Sequence, residues 1–160
     1  SKNQAVSILE IGTAVGFSAC ALVDKEQSRT IDTIERDTNR YLEALLNIKA
    51  MGFEDHIQAI HTDAFDFDVE RTYDALIIDA AKAQNLSFFR LFFAYTDKVC
   101  IIDNMNFHGY VDEELDTKPS KNVMAMVKKI RIFKSYLESR QDLEVVHSDI
   151  GDGLTVVKRR

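Results

Sequence analysis

The chain has 160 residues, which suits one domain able to bury roughly 68–70 % of its unfolded surface. Its 46 % hydrophobic and 29 % charged residues make a globular mix, with no apolar run near the roughly 20 residues of a membrane helix and no signal peptide at the start, so the expected compartment is the cytoplasm. A net charge of −6 speaks against indiscriminate nucleic-acid binding, and two cysteines, Cys20 and Cys100, without C-x-x-C spacing speak against a disulfide framework or zinc site.

The first apolar segment, Val6–Ile11, reads as a strand, followed by "GTAVGFSA" (12–19) and a helix over Gly16–Lys25. Gly12 and Gly16 let the backbone turn tightly and approach a ligand with no side chain in the way. A dinucleotide fingerprint, G-x-G-x-x-G, would place glycines at 14 and 17; Ala14 and Phe17 stand there, so a nicotinamide or flavin site fits poorly. No Gly-Lys-Ser/Thr follows, which excludes a phosphate-binding P-loop.

The second strand, Thr30–Glu35, ends in an acid about twenty residues after the glycine turn. A carboxylate there accepts hydrogen bonds from both ribose hydroxyls of a nucleoside, or else simply favours the positive end of the next helix. Next to the glycine turn the ribose role leads. A helix over Asp37–Met51 carries a mostly apolar stripe of Tyr41, Leu42, Leu45, Leu46, Ile48 and Lys49, and Gly52 supplies its stop. The third strand, Ile57–His61, leads to "HTDAF", where Asp63 and the Ala64 N–H could read an adenine edge, although an Asp after a strand is by itself more commonly just a helix cap.

Ala75–Asp79 and Val99–Asp103 are apolar strands that each stop at an acid, with a helix over Leu86–Tyr95 between them. Side by side, their tips would gather Asp79, Asp103 and Asn104. Two close carboxylates repel unless a cation lies between them, and an oxygen-only set suits Mg²⁺ rather than zinc. Lys82, one turn past Asp79, could reach a substrate hydroxyl held there. For either acid alone, capping of a turn is the simpler account; the four residues together favour the cation.

Beyond them lies an acidic cluster of Asp112, Glu113, Glu114 and Asp116. The basic run that follows (Lys118, Lys121, Lys128, Lys129, Arg131, Lys134 and Arg140) reads first as a solvated helix face, with an anionic partner as the alternative. Ser120 caps a helix whose Val123, Val127, Ile130, Phe133 and Leu137 recur at spacings of four and three. The closing "LEVVHSDIGDGLTVVKRR" reads as a hairpin about Gly151-Asp152-Gly153. Alternating strands and helices with this ending give a three-layer α/β fold, mostly parallel, with one reversed strand near its end.

"ILEIGTAVGFSA", "IDTIERD", "HTDAF", "YDALIIDAAKAQ", "IIDNMNFHG" and "IGDGL" resemble, in this order along essentially the whole chain, the cation-dependent class I S-adenosylmethionine O-methyltransferases. That family includes catechol and caffeoyl-CoA methyltransferases and bacterial enzymes acting on tRNA 5-hydroxyuridine. The resemblance implies a Rossmann-like, seven-stranded, mostly parallel sheet with helices on both faces and the last strand antiparallel. It implies S-adenosyl-L-methionine and Mg²⁺ or another divalent cation as cofactors. Glu10, Gly12 and Ser18 would line the methionine end, Glu35 the ribose, and Asp63 and Ala64 the adenine, with Asp79 also at the cofactor. Asp79, Asp103 and Asn104 would hold the metal, and Lys82 would be the general base.

The family's N-terminal helical segment has no counterpart before Val6, so a single methyltransferase domain over residues 1–160 is expected without it. The expected partner is a small-molecule or tRNA acceptor, with no membrane and with a homodimer left open. A non-catalytic S-adenosylmethionine-binding or assembly module is the rival from another class, and a dehydrogenase ranks behind both.

Overall fold

The computed structural model describes residues 6–24, 26, 28–111 and 119–160. The acidic cluster Asp112–Asp116 and Lys118 therefore lie outside the described residues. Seven strands form one sheet: β1 Ser7–Ile11, β2 Thr30–Glu35, β3 Ile57–His61, β4 Tyr73–Ile78, β5 Thr96–Ile102, β6 Leu143–Ser148 and β7 Leu154–Arg159. Their order is β3-β2-β1-β4-β5-β7-β6. All neighbours from β3 to β5 pair parallel, whereas β7 runs antiparallel to both β5 and β6. The one reversed strand is the one expected from the closing hairpin. Gly151 and Gly153, with φ of 62° and 86°, supply the left-handed backbone that the turn requires.

Among the described residues the α-helices are α1 Phe17–Leu22, α2 Thr38–Ala50, α3 Asn85–Phe92 and α4 Lys121–Ser139. Alternation along the strands divides the core in two, because successive side chains point to opposite faces. Leu9, Ile11, Leu76, Ile78, Cys100 and Ile102 pack with Phe88, Phe89 and Phe92 of α3 and Ile130, Phe133 and Leu137 of α4. Ile8, Ile31, Ile57 and Ala75 meet Ala19 of α1 and Ile48 of α2 on the other side. Ser120 caps α4 by accepting from the Val123 N–H, as its position before the apolar spacing indicates.

Two helices differ from the sequence expectation. Helix α1 is shorter, ending at Leu22, because Val23 is extended (φ −62°, ψ 129°) and the Arg29 guanidinium takes the Leu22 carbonyl at 2.7 Å. Helix α2 does not bury its leucine stripe: Leu42, Leu45 and Leu46 are exposed, and Ala44 and Ile48 face the sheet. The cause is close approach. A Cβ on Gly16 would lie 3.3 Å from the Ala44 Cβ, so the buried line of α2 must pass through a small residue. Among the described residues no helix is long and apolar enough to cross a membrane.

Candidate active site

The strand order reverses at β1, between β2 and β4, where ligands bind beyond the carboxyl ends of an open parallel sheet. A cleft of about 320 Å³ opens there, lined among others by Gly12, Ala14, Glu35, Asp63, Ala64 and Asp79. Gly12 has φ +104°, and a Cβ on it would fall 2.1 Å from the Asp79 carbonyl oxygen. Only glycine allows the β1 loop to run this close to the tip of β4.

Glu35 is nearly buried, and its carboxylate is fixed by two backbone donors, Ala14 N–H and Asp37 N–H, both at 2.9 Å. Each oxygen keeps a further lone pair for a ligand hydroxyl. Asp63 does cap a short 3₁₀ turn, accepting from Phe65 N–H at 3.0 Å, and also sits 3.5 Å from the Arg36 guanidinium. Both sequence readings of Asp63 are therefore compatible with its place on the cleft wall. Among the lining residues that sequence reasoning missed are Arg36, Arg40, Gln84 and Phe88. The signal for the arginines was available: Arg36 directly follows Glu35 and Arg40 lies in the first turn of α2, beside the same cleft.

Glu10 lies beneath the cleft rather than on its wall, with no exposed surface. The Ser18 and Thr33 hydroxyls donate to its two oxygens, and Thr33 in turn is 2.7 Å from Thr13 Oγ1. Burial pushes the Glu10 carboxyl above its ordinary value of 4.5, opposed by the two hydroxyls and reinforced by the Asp79 charge. A raised folded value means that ionising Glu10 opposes folding. The stability attached to its neutral form is present below the ordinary value and lost as pH rises through the raised one. Glu10→Gln stays neutral and is therefore expected to lose less stability than the parent between pH 4.5 and pH 7. Urea unfolding at both pH values measures this, and equal losses would show that Glu10 ionises in the fold without penalty.

The second half of the site comes from register. Ile78 pairs with Ile102 and Ile11 with Ile78, so Gly12, Asp79 and Asp103 are the next residues on three adjoining strands. Asp79 N–H donates to the Ile11 carbonyl and Asp103 N–H to that of Ile78, which extends the ladder to the strand tips. Lys82 opens a 3₁₀ turn after β4 and brings Nζ to 2.9 Å from Asp79 Oδ1. Asp103 Oδ1 accepts the Asn104 N–H at 2.7 Å. With its oxygen turned to Lys82, the Asn104 carboxamide accepts from Nζ at 2.8 Å.

The structure thus brings Asp79, Lys82, Asp103 and Asn104 together beside the glycine turn. Two carboxylates and an amide oxygen are hard donors of the kind Mg²⁺ takes, and three such donors fall short of its octahedral set, leaving positions for water and substrate oxygens. Among the described residues no three His, Cys, Asp or Glu side chains cluster for a metal ion; the set has two acids, and its third donor is an amide.

A sheet of this order, with a glycine turn after β1 and an acid at the tip of β2, defines a class: the S-adenosylmethionine-dependent methyltransferase fold. The O-methyltransferase family profile matches residues 2–160. A candidate caffeoyl-CoA O-methyltransferase from Staphylococcus aureus superposes with a TM-score of 0.90 at 31 % identity, over 99 % of this chain and 78 % of that one. Caffeoyl-CoA O-methyltransferase from Populus kitakamiensis is 26 % identical over 162 residues, covering 94 % of this chain and 68 % of the relative. The tRNA1(Val) (adenine(37)-N6)-methyltransferase of Pedobacter heparinus is 30 % identical over 76 residues, and the match spans 48 % of this chain and only 32 % of that protein. The chain belongs to the O-methyltransferase family.

Proposed function

We propose that the protein moves the methyl group of S-adenosylmethionine to a hydroxyl of an acceptor carrying two adjacent oxygens, that it requires Mg²⁺ or a similar divalent cation, and that residues 1–160 act as one catalytic domain. The observation that carries the reading is the β4–β5 register, which sets Asp79 beside Asp103 with Lys82 and Asn104 at the same point. Asp79, Asp103 and Asn104 would hold the cation, which supplies acidity to a nearby hydroxyl when bound. Glu35, locked by its two backbone donors, orients a ribose, and Gly12 lets the β1 loop close on the tip of β4 to form the wall at the methionine end. Lys82 Nζ, entering the step as the free amine, takes the proton of the acceptor hydroxyl on its lone pair and leaves the step as the ammonium. As the oxygen–methyl bond forms, the sulfur–methyl bond breaks and its electron pair stays on sulfur. Holding oxygen and methyl in line contributes most of the acceleration.

The acceptor read first is a catechol-like small molecule. A tRNA 5-hydroxyuridine, which offers the same pair of oxygens, is the second reading, favoured by the exposed Lys121, Lys128 and Lys129 on α4. Arg131 and Arg140 of the basic run are engaged elsewhere, on the Val111 carbonyl and on Asp142. Transfer of labelled methyl to catechol in Mg²⁺ is the test: it should stop in EDTA and return with added Mg²⁺. Undiminished turnover in EDTA rejects the cation requirement. Methylation of tRNA wobble uridines with no transfer to catechol selects the second acceptor, and binding of S-adenosylmethionine without any turnover selects the non-catalytic rival.

A further inference from the structure

The turn between β6 and β7 does more than reverse the chain. Resting on the cation-dependent reading above, we infer that Asp152 is a positioning residue that fixes the Asn104 carboxamide with its oxygen turned into the cluster of Asp79 and Lys82. Three observations converge on it. First, the loop after β5 is strained: Asn104, Phe107 and His108 have φ of 56°, 51° and 57°. Such backbone persists only where its surroundings over-determine it.

Second, the turn supplies that determination. Met105 N–H donates to the Gly153 carbonyl and Asn106 N–H to the Asp152 carbonyl, each at 2.8 Å, and His108 N–H donates to Asp152 Oδ1. The contact is close enough to need glycine, since a Cβ on Gly153 would lie 2.6 Å from the Asn106 nitrogen. Third, the other carboxylate oxygen reaches the site residue itself. With the Asn104 oxygen on Lys82, the amide nitrogen donates to Asp152 Oδ2 at 3.3 Å. In the opposite orientation that nitrogen reaches Asp103 Oδ2, also at 3.3 Å, but faces Lys82 Nζ donor to donor.

A carboxamide can ligate a cation only through its oxygen, so the residue that takes its NH₂ group decides whether Asn104 serves the site. Asp152 can do this because a carboxylate accepts on both oxygens, one for the His108 N–H and one for the Asn104 amide. Asp152→Asn keeps size and shape but can satisfy only one of the two donors.

The test uses the intact chain and two readouts. In Asp152→Asn the Asn104 side-chain NH₂ protons, followed by ¹⁵N NMR, should exchange with solvent several-fold faster than in the parent. Binding of Mn²⁺, followed by electron paramagnetic resonance, should weaken about 10–100-fold, the usual effect of losing an outer partner of a metal ligand. S-adenosylmethionine affinity and the thermal midpoint should stay near the parent's, which a general loss of structure would not allow. Unchanged exchange at Asn104 overturns the inference, and so does unchanged Mn²⁺ affinity with altered exchange. If the parent itself takes up no Mn²⁺, the cation reading falls, and the exchange rates still decide what holds Asn104. Should Asp152→Asn not fold, nuclear Overhauser effects in the parent decide: contacts from the Asn104 NH₂ to the Asp152–Gly153 turn support the inference, and contacts to the Lys82 side chain overturn it.

Discussion

Lys82→Ala is expected to lower methyl transfer by about 10²–10⁴-fold, the usual contribution of a positioned proton acceptor. The affinity for S-adenosylmethionine should change little, because Glu35, Gly12 and Asp63 contact the cleft independently of Lys82. Alanine alone does not separate two roles, since Nζ reaches Asp79 at 2.9 Å and, in the proposed mechanism, also takes the substrate proton. Lys82→Arg does. A guanidinium keeps a positive charge beside Asp79 but cannot give up a proton in a protein. If Lys82 is the base, arginine should be nearly as inactive as alanine. Activity recovered by arginine would mean that the lysine acts through its charge alone, and the general-base assignment would fail. Single-turnover kinetics with saturating methyl donor measure the chemical step directly.

The sequence was legible where backbone conformation leaves little choice. The glycine turn, the acids after the apolar runs at 75–78 and 99–102, and the Gly-Asp-Gly hairpin each read the same locally as they do in the fold. Strand tips meet because parallel neighbours must align their carboxyl ends, so Asp79 and Asp103 could be paired without knowing the rest. The early parts of β4 and β5 were missed because Tyr73, Asp74, Asp97 and Lys98 interrupt the apolar pattern. Asp74 is held by Ser7 and by Lys98 at 2.6 Å, contacts that exist only after folding. Helix α2 misled for a different reason. Periodicity identifies an apolar line but does not know which line a neighbour admits, and Gly16 admits Ala44 rather than the leucines. The role of Asp152 was hidden because it depends on a contact 48 residues distant in the chain, between the last turn and Asn104.

The second large effect is expected at Asp103. Asp103→Asn should lower turnover on the order of a hundredfold or more, since a metal site supplies several kcal/mol of charge stabilisation and each factor of ten is about 1.4 kcal/mol. Asparagine is the informative substitution, because its oxygen can still accept the Asn104 N–H that Asp103 Oδ1 now holds at 2.7 Å. Alanine would remove both the charge and the anchor of a residue at φ +56°, and its effect would mix chemistry with backbone strain. If the carboxylate acts as a cation ligand, raising Mg²⁺ or replacing it by Mn²⁺ should restore part of the Asp103→Asn activity, because weaker binding is recoverable by mass action. If Asp103 only braces the turn, added cation should restore nothing, and asparagine should already behave like the parent. Turnover measured across a cation titration separates these outcomes, and a flat response with full activity would remove Asp103 from the ligand set.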